Sequence, residues 1–468
     1  MAHKLPSIVL AGRPNVGKST LFNRLTATRD ALVADYPGLT RDRRYGVGRA
    51  AERKFIVIDT GGLVSGDSDA MTTLVAEQVA IAIEEADAVV LVVDHKSGLT
   101  PEDTGIVERL RRGSKPVVIA VNKAEGVPGE IAEAEFHTLG LGTPVGISAV
   151  HGHGIDALLR AALASFPVDD ETDPNAETEQ GPKVAVIGRP NVGKSTLINR
   201  LLGENRLITS PEPGTTRDSI HVPVERDDTK FVLVDTAGVR RRARVSEAVE
   251  KYSVVQTLQA IEEAGAVIAV LDARENVTDQ DLHVVGLAAE RGRALALAIN
   301  KWDGLSGHER RFVEREVDRK LDFVPYASQH YISALHGSGI AELIKAALVG
   351  YKNAGVELAT PRLTRVLEDA TQVNPPPLVR GRQVRLRYAH QGGRYPPLIV
   401  VHGTQAQRLP DHYKRYLENA FREALRLKGT PVRVELRTTE NPFAGRRNTM
   451  TPRQAKHRRR MLRFKHKQ

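Results

Sequence analysis

The chain has 468 residues, of which 41% are hydrophobic and 26% charged, with a formal net charge of +10 and no cysteine. This composition fits soluble globular domains, and it excludes disulfides and cysteine-ligated metal sites. No apolar run reaches the length of about eighteen residues that reads as a bilayer span, and Met1–Leu10 turns polar too soon for a secretory leader, so a reducing cytoplasm is the expected compartment.

Short β-branched and aliphatic runs come first, at Ser7–Ala11, Phe55–Ile58, Ala88–Val93 and Pro116–Val121. Continuous runs of this kind predict strands buried on both faces. Between them, Met71–Glu84 has helical spacing. Pro167–Pro182 holds six acidic and no basic residues and reads as a flexible, solvated linker. The pattern then restarts at Val184–Ile187, Phe231–Val234, Ala266–Leu271 and Ala294–Ile299, with a helical stretch at Val249–Glu262. Alternation of this kind predicts α/β architecture with a mainly parallel, doubly wound sheet, formed twice.

From about Asn353 the pattern changes. Thr360-Pro361 caps a helix running to about Val373. Val384, Leu386 and Tyr388 alternate with Arg385 and Arg387, a half-buried strand with a basic outer face. Leu398–Val401 is a second strand. Tyr413, Tyr416, Leu417, Ala420, Phe421, Ala424 and Leu425 fall on one helical face, and Gly429 and Pro431 stop that helix. Val432, Val434 and Leu436 form a last strand, giving an order of α-β-β-α-β. The domain reading is 1–166, a linker at 167–182, 183–352, a small α/β domain at 353–440 and a tail at 441–468. That tail holds ten Lys or Arg and no acid, so it carries the whole net excess of +10. Nucleic acid is the polyanion such a tail would seek.

The restart is a duplication. Gly12–Leu25 reads GRPNVGKSTLFNRL and Gly188–Leu201 reads GRPNVGKSTLINRL, so thirteen of fourteen positions agree at an offset of 176. Each segment follows an apolar strand and opens a helix, the context that a Walker A loop requires. Gly12, Gly17, Gly188 and Gly193 let backbone N–H groups curl around phosphates, and the helix N-terminus adds a field that favours anions. Lys18 and Lys194 are expected on the β- and γ-phosphates, Ser19 and Ser195 on Mg²⁺, and Thr20 and Thr196 beside them. Asp59-Thr60-Gly61-Gly62 and Asp235-Thr236-Ala237-Gly238 end the next strand of each copy. There the Asp can hold Mg²⁺ and the N–H of Gly62 or Gly238 can sense the γ-phosphate. Thr40 and Thr216 lie between these motifs and can ligate Mg²⁺ only while the γ-phosphate is present, which makes their loops switches.

Asn300-Lys301-Trp302-Asp303 ends a strong strand of the second copy. A carboxylate there accepts from guanine N1–H and N2–H₂, which adenine cannot supply. Ser333-Ala334 and Ser148-Ala149 close the base pockets. The first copy departs, reading Asn122-Lys123-Ala124-Glu125. Glu adds a methylene, so weaker or less selective guanine binding is expected in that copy.

These residues together make the chain similar to the bacterial tandem GTPases of the Der (EngA) family, over nearly its full length. The resemblance implies two P-loop G domains followed by a KH-like α+β domain. It also implies a GTP-hydrolysing factor, cycling between GTP and GDP, that assists assembly of the large ribosomal subunit by nucleotide-dependent binding to the subunit and its rRNA. Asn15 and Asn191 would, by the same resemblance, help to hold a K⁺ ion. Leu63 and Val239 stand where many regulatory GTPases have a water-orienting Gln, so basal turnover is expected to be slow. The KH-like part has no GxxG between Asn353 and Glu440, which removes the usual grip on single-stranded RNA; the expectation is a docking surface against the second G domain, with Arg385, Arg387 and the tail touching RNA phosphates. Two other readings are a passive RNA-binding module whose G domains only sense the guanine nucleotide pool, and an enzyme of another class, such as a tRNA modifier with an embedded G domain. His151 and His153 in HGHG read as a turn. A monomer is expected, since no dimerising coiled coil is present.

Overall fold

The computed structural model describes residues 5–26, 44–50, 53–60, 81–166, 181–203, 221–226, 229–234, 253–379 and 381–438. Thr40, Gly62, Thr216, Asp235, Gly238, Leu63, Val239 and the tail at 441–468 therefore lie outside the described residues. The same holds for 167–180 of the acidic linker, for 71–80 of the first expected helix and for 249–252 of the second.

In the first copy the strands are β1 (Ser7–Ala11), β2 (Arg44–Ala50), β3 (Arg53–Asp59), β4 (Ala88–Asp94), β5 (Val117–Asn122) and β6 (Val145–Gly146). Its helices are α1 (Lys18–Thr26), α2 (Pro101–Arg111), the short α3 (Gly129–Glu133) and α4 (Ile155–Leu163). The second copy has β7 (Lys183–Ile187), β8 (Val222–Arg226), β9 (Thr229–Val234), β10 (Ala266–Asp272), β11 (Ala294–Asn300) and β12 (Ser328–Tyr331). Helices α5 (Lys194–Gly203), α6 (Val254–Glu263), α7 (Asp279–Glu290), α8 (Gly307–Lys320) and α9 (Ile340–Ala354) accompany them.

Both sheets have the same strand order, β2-β3-β1-β4-β5-β6 in one and β8-β9-β7-β10-β11-β12 in the other. Only the edge hairpins β2–β3 and β8–β9 are antiparallel among the described pairings of these sheets. Strands β4, β10 and β11 are buried at every residue, because helices cover both faces of a parallel sheet and leave no solvent side for polar alternation. That is why their sequences run AVVLVVD, AVIAVLD and ALALAIN without a polar beat.

The described residues form two compact units. The first comprises Met1–Val356 with Gly393–Pro397 and Leu425–Val432. Within it the two copies touch: the Gln259 side chain on α6 donates to the Leu5 carbonyl at 2.8 Å. Lys54, near the start of β3, lies 3.9 Å from the Glu262 carboxylate. Glu262 is itself buried against Arg291 (3.2 Å) and Arg293 (3.3 Å).

In the second unit, α10 (Thr360–Val373) is followed by β13 (Arg385–Gly393), β14 (Leu398–Thr404), α11 (Asp411–Leu425) and β15 (Arg433–Thr438), the expected α-β-β-α-β order. Leu363, Leu367, Ile399, Val401, Leu417, Phe421 and Val434 form its core. Three local details differ from expectation. Helix α10 begins at Thr360 with Pro361 in its first turn, but no side chain caps it. In β13 the inward phase slips: Val384 is buried, Tyr388 is exposed and Ala389 takes the buried position. The Tyr388 ring instead stacks on His402 of β14, with centroids 4.5 Å apart. Helix α11 stops at Leu425, where Arg426 adopts a left-handed φ of 58°, upstream of Gly429 and Pro431.

One buried group couples this fold to pH. His283 on α7 has a ring nitrogen, Nε2, buried without a partner, and burial holds its imidazole down to about 4 from an ordinary 6.5. Above pH 6.5 the ring is neutral in folded and unfolded chains alike and stability is unaffected. As pH falls from 6.5 toward 4 the unfolded chain takes up the proton first, so stability drains away across that window. The loss amounts to roughly 3 kcal/mol. Replacing His283 with Gln should flatten that part of the profile in chemical unfolding; an unchanged slope would mean that the ring titrates normally.

Candidate nucleotide sites

Each P-loop follows the C-terminal end of the strand that lies third from the hairpin edge, β1 or β7. The two loops have the same backbone. Gly12, Asn15 and Gly17 have φ of 145°, 63° and 99°, and Gly188, Asn191 and Gly193 have 152°, 63° and 98°. Glycine is required for space as well as conformation. A Cβ on Gly17 would fall 2.2 Å from the Asn122 amide nitrogen, and one on Gly193 would fall 2.2 Å from that of Asn300. The loop is thus wrapped tightly around the asparagine of the Asn-Lys motif.

Lys18 opens α1 and Lys194 opens α5. The Lys18 ammonium donates to the Gly12 and Arg13 carbonyls, each at 2.8 Å, and Lys194 donates to the Arg189 carbonyl at 2.7 Å. Burial draws the Lys18 amine below the ordinary lysine range, while the nearby Asp59 carboxylate opposes that shift. A lysine bent back over its own loop in this way fits a group that turns toward phosphate oxygens. Ser19, Thr20, Ser195 and Thr196 sit in the first turns of α1 and α5. Asp59 ends β3 and is buried, and the Thr60 hydroxyl next to it donates to the Leu10 carbonyl at 2.8 Å. Within the described residues of the first copy, the arrangement therefore brings Lys18, Ser19 and Asp59 to one end of the sheet, a set that fits a triphosphate with its Mg²⁺.

The base side is built from three loops held by one amide. Asn122 Nδ2 donates to the Val16 carbonyl (2.8 Å) and its Oδ1 accepts from the Ala149 N–H (3.0 Å). Asn300 repeats this with the Val192 carbonyl (2.8 Å) and the Ala334 N–H (2.9 Å). Ser148 N–H donates to the His153 carbonyl and Gly152 N–H to the Ser148 carbonyl, so HGHG forms a turn. Lys123 and Lys301 adopt left-handed φ of 63° and 65°. Their ammonium groups reach back to the P-loop, to Asn15 O (3.0 Å) and Asn191 O (2.8 Å).

Those lysines also meet acids that no sequence motif marks. Lys123 pairs with Asp94 (2.7 Å) and Lys301 with Asp272. Burial acts to raise the Asp94 carboxyl, but the Lys123 ammonium and the Lys96 N–H outweigh it and hold the group below its ordinary value. A second missed pair anchors the P-loops: Arg13 Nε lies 3.3 Å from Asp103, and Arg189 Nε lies 3.1 Å from Asp281. Both acids also complete N-terminal capping boxes, on α2 and α7. Asp94 and Asp272, and likewise Asp103 and Asp281, stand 178 residues apart, the offset that already relates Asn122 to Asn300. Following that offset along the chain would have exposed both pairs.

Glu125 and Asp303 are the residues the sequence offers for reading the base. Glu125 accepts from Lys96 Nζ at 3.0 Å, and Lys96 with the Ser148 hydroxyl holds its carboxyl below the ordinary range. Asp303 is lowered chiefly by the Ser333 hydroxyl, with His336 and Arg274 contributing less.

A parallel α/β sheet formed twice, each with a P-loop and an Asn-Lys motif hydrogen-bonded to that loop, defines a P-loop GTPase that binds guanine nucleotides. The family described as 50S ribosome-binding GTPase matches twice, at residues 7–123 and 183–301. The KH-domain-like C-terminal family of EngA bacterial GTPase enzymes matches residues 358–437. GTPase Der of Thioalkalivibrio sulfidiphilus is 53% identical over 459 residues, covering 98% of this chain and 99% of that one. The protein of the same name from Azotobacter vinelandii is 52% identical over 476 residues, with 98% and 97% covered. Among solved structures, the G domain of the T. maritima FeoB iron transporter is 30% identical in a match covering 34% of this chain and 98% of that one, with a TM-score of 0.27. The chain belongs to the GTPase Der family, and it is a GTPase with two G-domain regions and a C-terminal KH-like region. No described helix is long and apolar enough to cross a membrane.

Proposed function

We propose that the protein is a cytoplasmic, monomeric GTP-dependent switch that assists assembly of the large ribosomal subunit, engaging the subunit and its rRNA in one nucleotide state. The observation that carries this reading is the duplicated site within a chain whose G-domain regions both match a 50S ribosome-binding GTPase family. A passive RNA-binding module would have no use for two sites that each retain the phosphate lysine and the knotted asparagine. In this reading residues 1–166 and 183–352 are G domains, 167–182 the linker, 353–440 the KH-like domain and 441–468 an RNA-contacting tail.

Lys18 and Lys194 would hold the β- and γ-phosphates, with Gly62 and Gly238 at the γ-phosphate. Ser19, Thr40 and Asp59, and Ser195, Thr216 and Asp235, would hold Mg²⁺ in the two sites. Asn15 and Asn191, both with a left-handed φ of 63°, would support a K⁺ ion that supplies the positive charge an arginine finger gives elsewhere. The exposed Arg385 and Arg387 of β13 would meet rRNA phosphates.

Co-sedimentation with large ribosomal subunits tests the proposal, run with GDP and with a non-hydrolysable GTP analogue at several salt concentrations. Binding confined to the GTP analogue is the expected result. Binding that ignores the nucleotide and simply falls with salt would reduce the protein to a nonspecific polycation and overturn the switch.

A further inference from the structure

We propose that Lys96 sets the base specificity of the first nucleotide site by occupying one oxygen of Glu125, so that this site accepts inosine nucleotides nearly as well as guanine nucleotides. The inference rests on the reading that Glu125 and Asp303 face the base, and it goes beyond it by assigning a residue and a second substrate class.

The two copies differ in a matched way. Both begin from the same turn: Asp94 accepts from the Lys96 N–H and Asp272 from the Arg274 N–H, each at 2.9 Å. The Ser97 hydroxyl also bonds Asp94, at 3.2 Å, which pins the root of the Lys96 side chain. From that root the first copy sends out a lysine toward a glutamate, and the second sends out an arginine past an aspartate. The longer acid meets the shorter cation, and Lys96 Nζ donates to Glu125 Oε1 at 3.0 Å. In the second copy the Arg274 guanidinium travels further and packs on Gly304, where an added Cβ would fall 2.6 Å from Nη2. At the matching Gly126 an added Cβ would meet nothing within 4 Å. The His336 ring lies 3.5 Å from Asp303, with 63% of its side chain exposed.

Chemistry follows from the count of free lone pairs. Guanine offers two donors on one edge, N1–H and the 2-amino group, and needs both carboxylate oxygens to satisfy them. Asp303 gives one lone pair to the Ser333 hydroxyl, as Glu125 gives one to Ser148, and each carboxylate has about four to give. Glu125 gives a further lone pair, on Oε1, to Lys96 Nζ, so the lysine and the base contend for that oxygen. The other oxygen satisfies N1–H, and the 2-amino group has to share Oε1 with Lys96. Hypoxanthine has N1–H and lacks the 2-amino group, so it forfeits little in the first site and one charge-assisted hydrogen bond in the second.

Competition of GTP and ITP against a fluorescent guanine nucleotide tests this on the full chain. Lys194→Ala confines binding to the first site, and Lys18→Ala confines it to the second. The second site should prefer GTP by about tenfold or more, the worth of a hydrogen bond to a charged group, and the first by no more than about threefold. Lys96→Met keeps the stem and removes the donor, and Glu125→Asp withdraws the acid from its reach. Either change should raise the GTP preference of the first site to about tenfold. Should Lys96→Met fail to fold, Glu125→Asp decides. Equal discrimination in both unmodified sites, or a preference in the first site that neither substitution raises, overturns the inference. Neither result bears on the ribosome co-sedimentation, so the two proposals fail separately.

Discussion

Replacing Asn300 with alanine should disable the second nucleotide site, weakening GTP binding roughly a hundredfold and destabilising that domain by about 2–4 kcal/mol. The side chain is 3% exposed and its two ends serve two different loops. Its amide N–H₂ holds the P-loop through Val192, and its carbonyl holds the base loop through the Ala334 N–H. Alanine leaves a buried carbonyl and a buried N–H without partners, and the cost of each unmet group exceeds the modest net worth of the bonds that are lost. Binding suffers beyond stability because the loops then have to be ordered by the nucleotide itself. Nucleotide titration in a Lys18→Ala background, with urea unfolding alongside, measures both effects. Asn300→Asp is the informative contrast. It still accepts from Ala334 but sets a carboxylate oxygen against the Val192 carbonyl, so it should be nearly as damaging. An alanine variant that binds within about threefold of the parent would show that the amide is not what positions the loops.

Glu262→Ala should cost about 3–5 kcal/mol, the range for removing one partner of a buried ion pair. Glu262 is 9% exposed, and the side chains of Arg291 and Arg293 are only 11% and 8% exposed. Arg291 Nε is close to the carboxylate without hydrogen-bond geometry, so its attraction is one of charge, and removing that charge leaves two guanidinium groups in a poorly hydrated place. Arg293 keeps its bond to the Glu262 backbone carbonyl at 2.9 Å, so the damage should stop short of unfolding the domain. Glu262→Gln, which keeps the shape but not the charge, should fall between parent and alanine. By contrast Lys54→Met should change stability by less than about 1 kcal/mol, since Lys54 is partly exposed and its contact is long. Urea midpoints at constant slope would rank these variants. Glu262→Ala within about 1 kcal/mol of the parent would mean that water already solvates the cluster.

Much of the molecule was legible in the sequence because the informative features were local and repeated. Strands such as Ala266–Asp272 carry an unbroken apolar run, a pattern that a parallel sheet imposes on itself. The P-loops announce themselves through glycines whose positive φ no other residue adopts so easily, and their second copy removed the ambiguity of a short motif. What escaped was set by side chains that meet across the fold. Nothing local in Asp94 says that it will hold Lys123, and nothing in Arg13 says that it will find the capping acid of α2. Tyr388 obeys the alternation of its strand on paper, yet a slip of phase lets its ring stack on His402 from the neighbouring strand. Arg426, with φ of 58°, ends α11 ahead of Gly429, the residue expected to stop it. Lys96 was passed over for the same reason: its role exists only because Glu125, 29 residues on, is one methylene longer than usual.

The seam between the two G-domain regions lies at the ends of the sheets remote from their phosphate loops. Among the described residues its polar contacts run from Leu5, just before β1, and Lys54, near the start of β3, to the last turns of α6. The P-loops leave the opposite ends of β1 and β7. Emptying or refilling one loop therefore breaks none of these seam contacts, and the seam in turn offers neither loop a preferred partner state. As far as these contacts go, the protein is free to populate every combination of vacant and charged sites, with each site answering to its own ligand concentration. Coupling between the sites, which must be equal in both directions, has to be carried by something other than this seam.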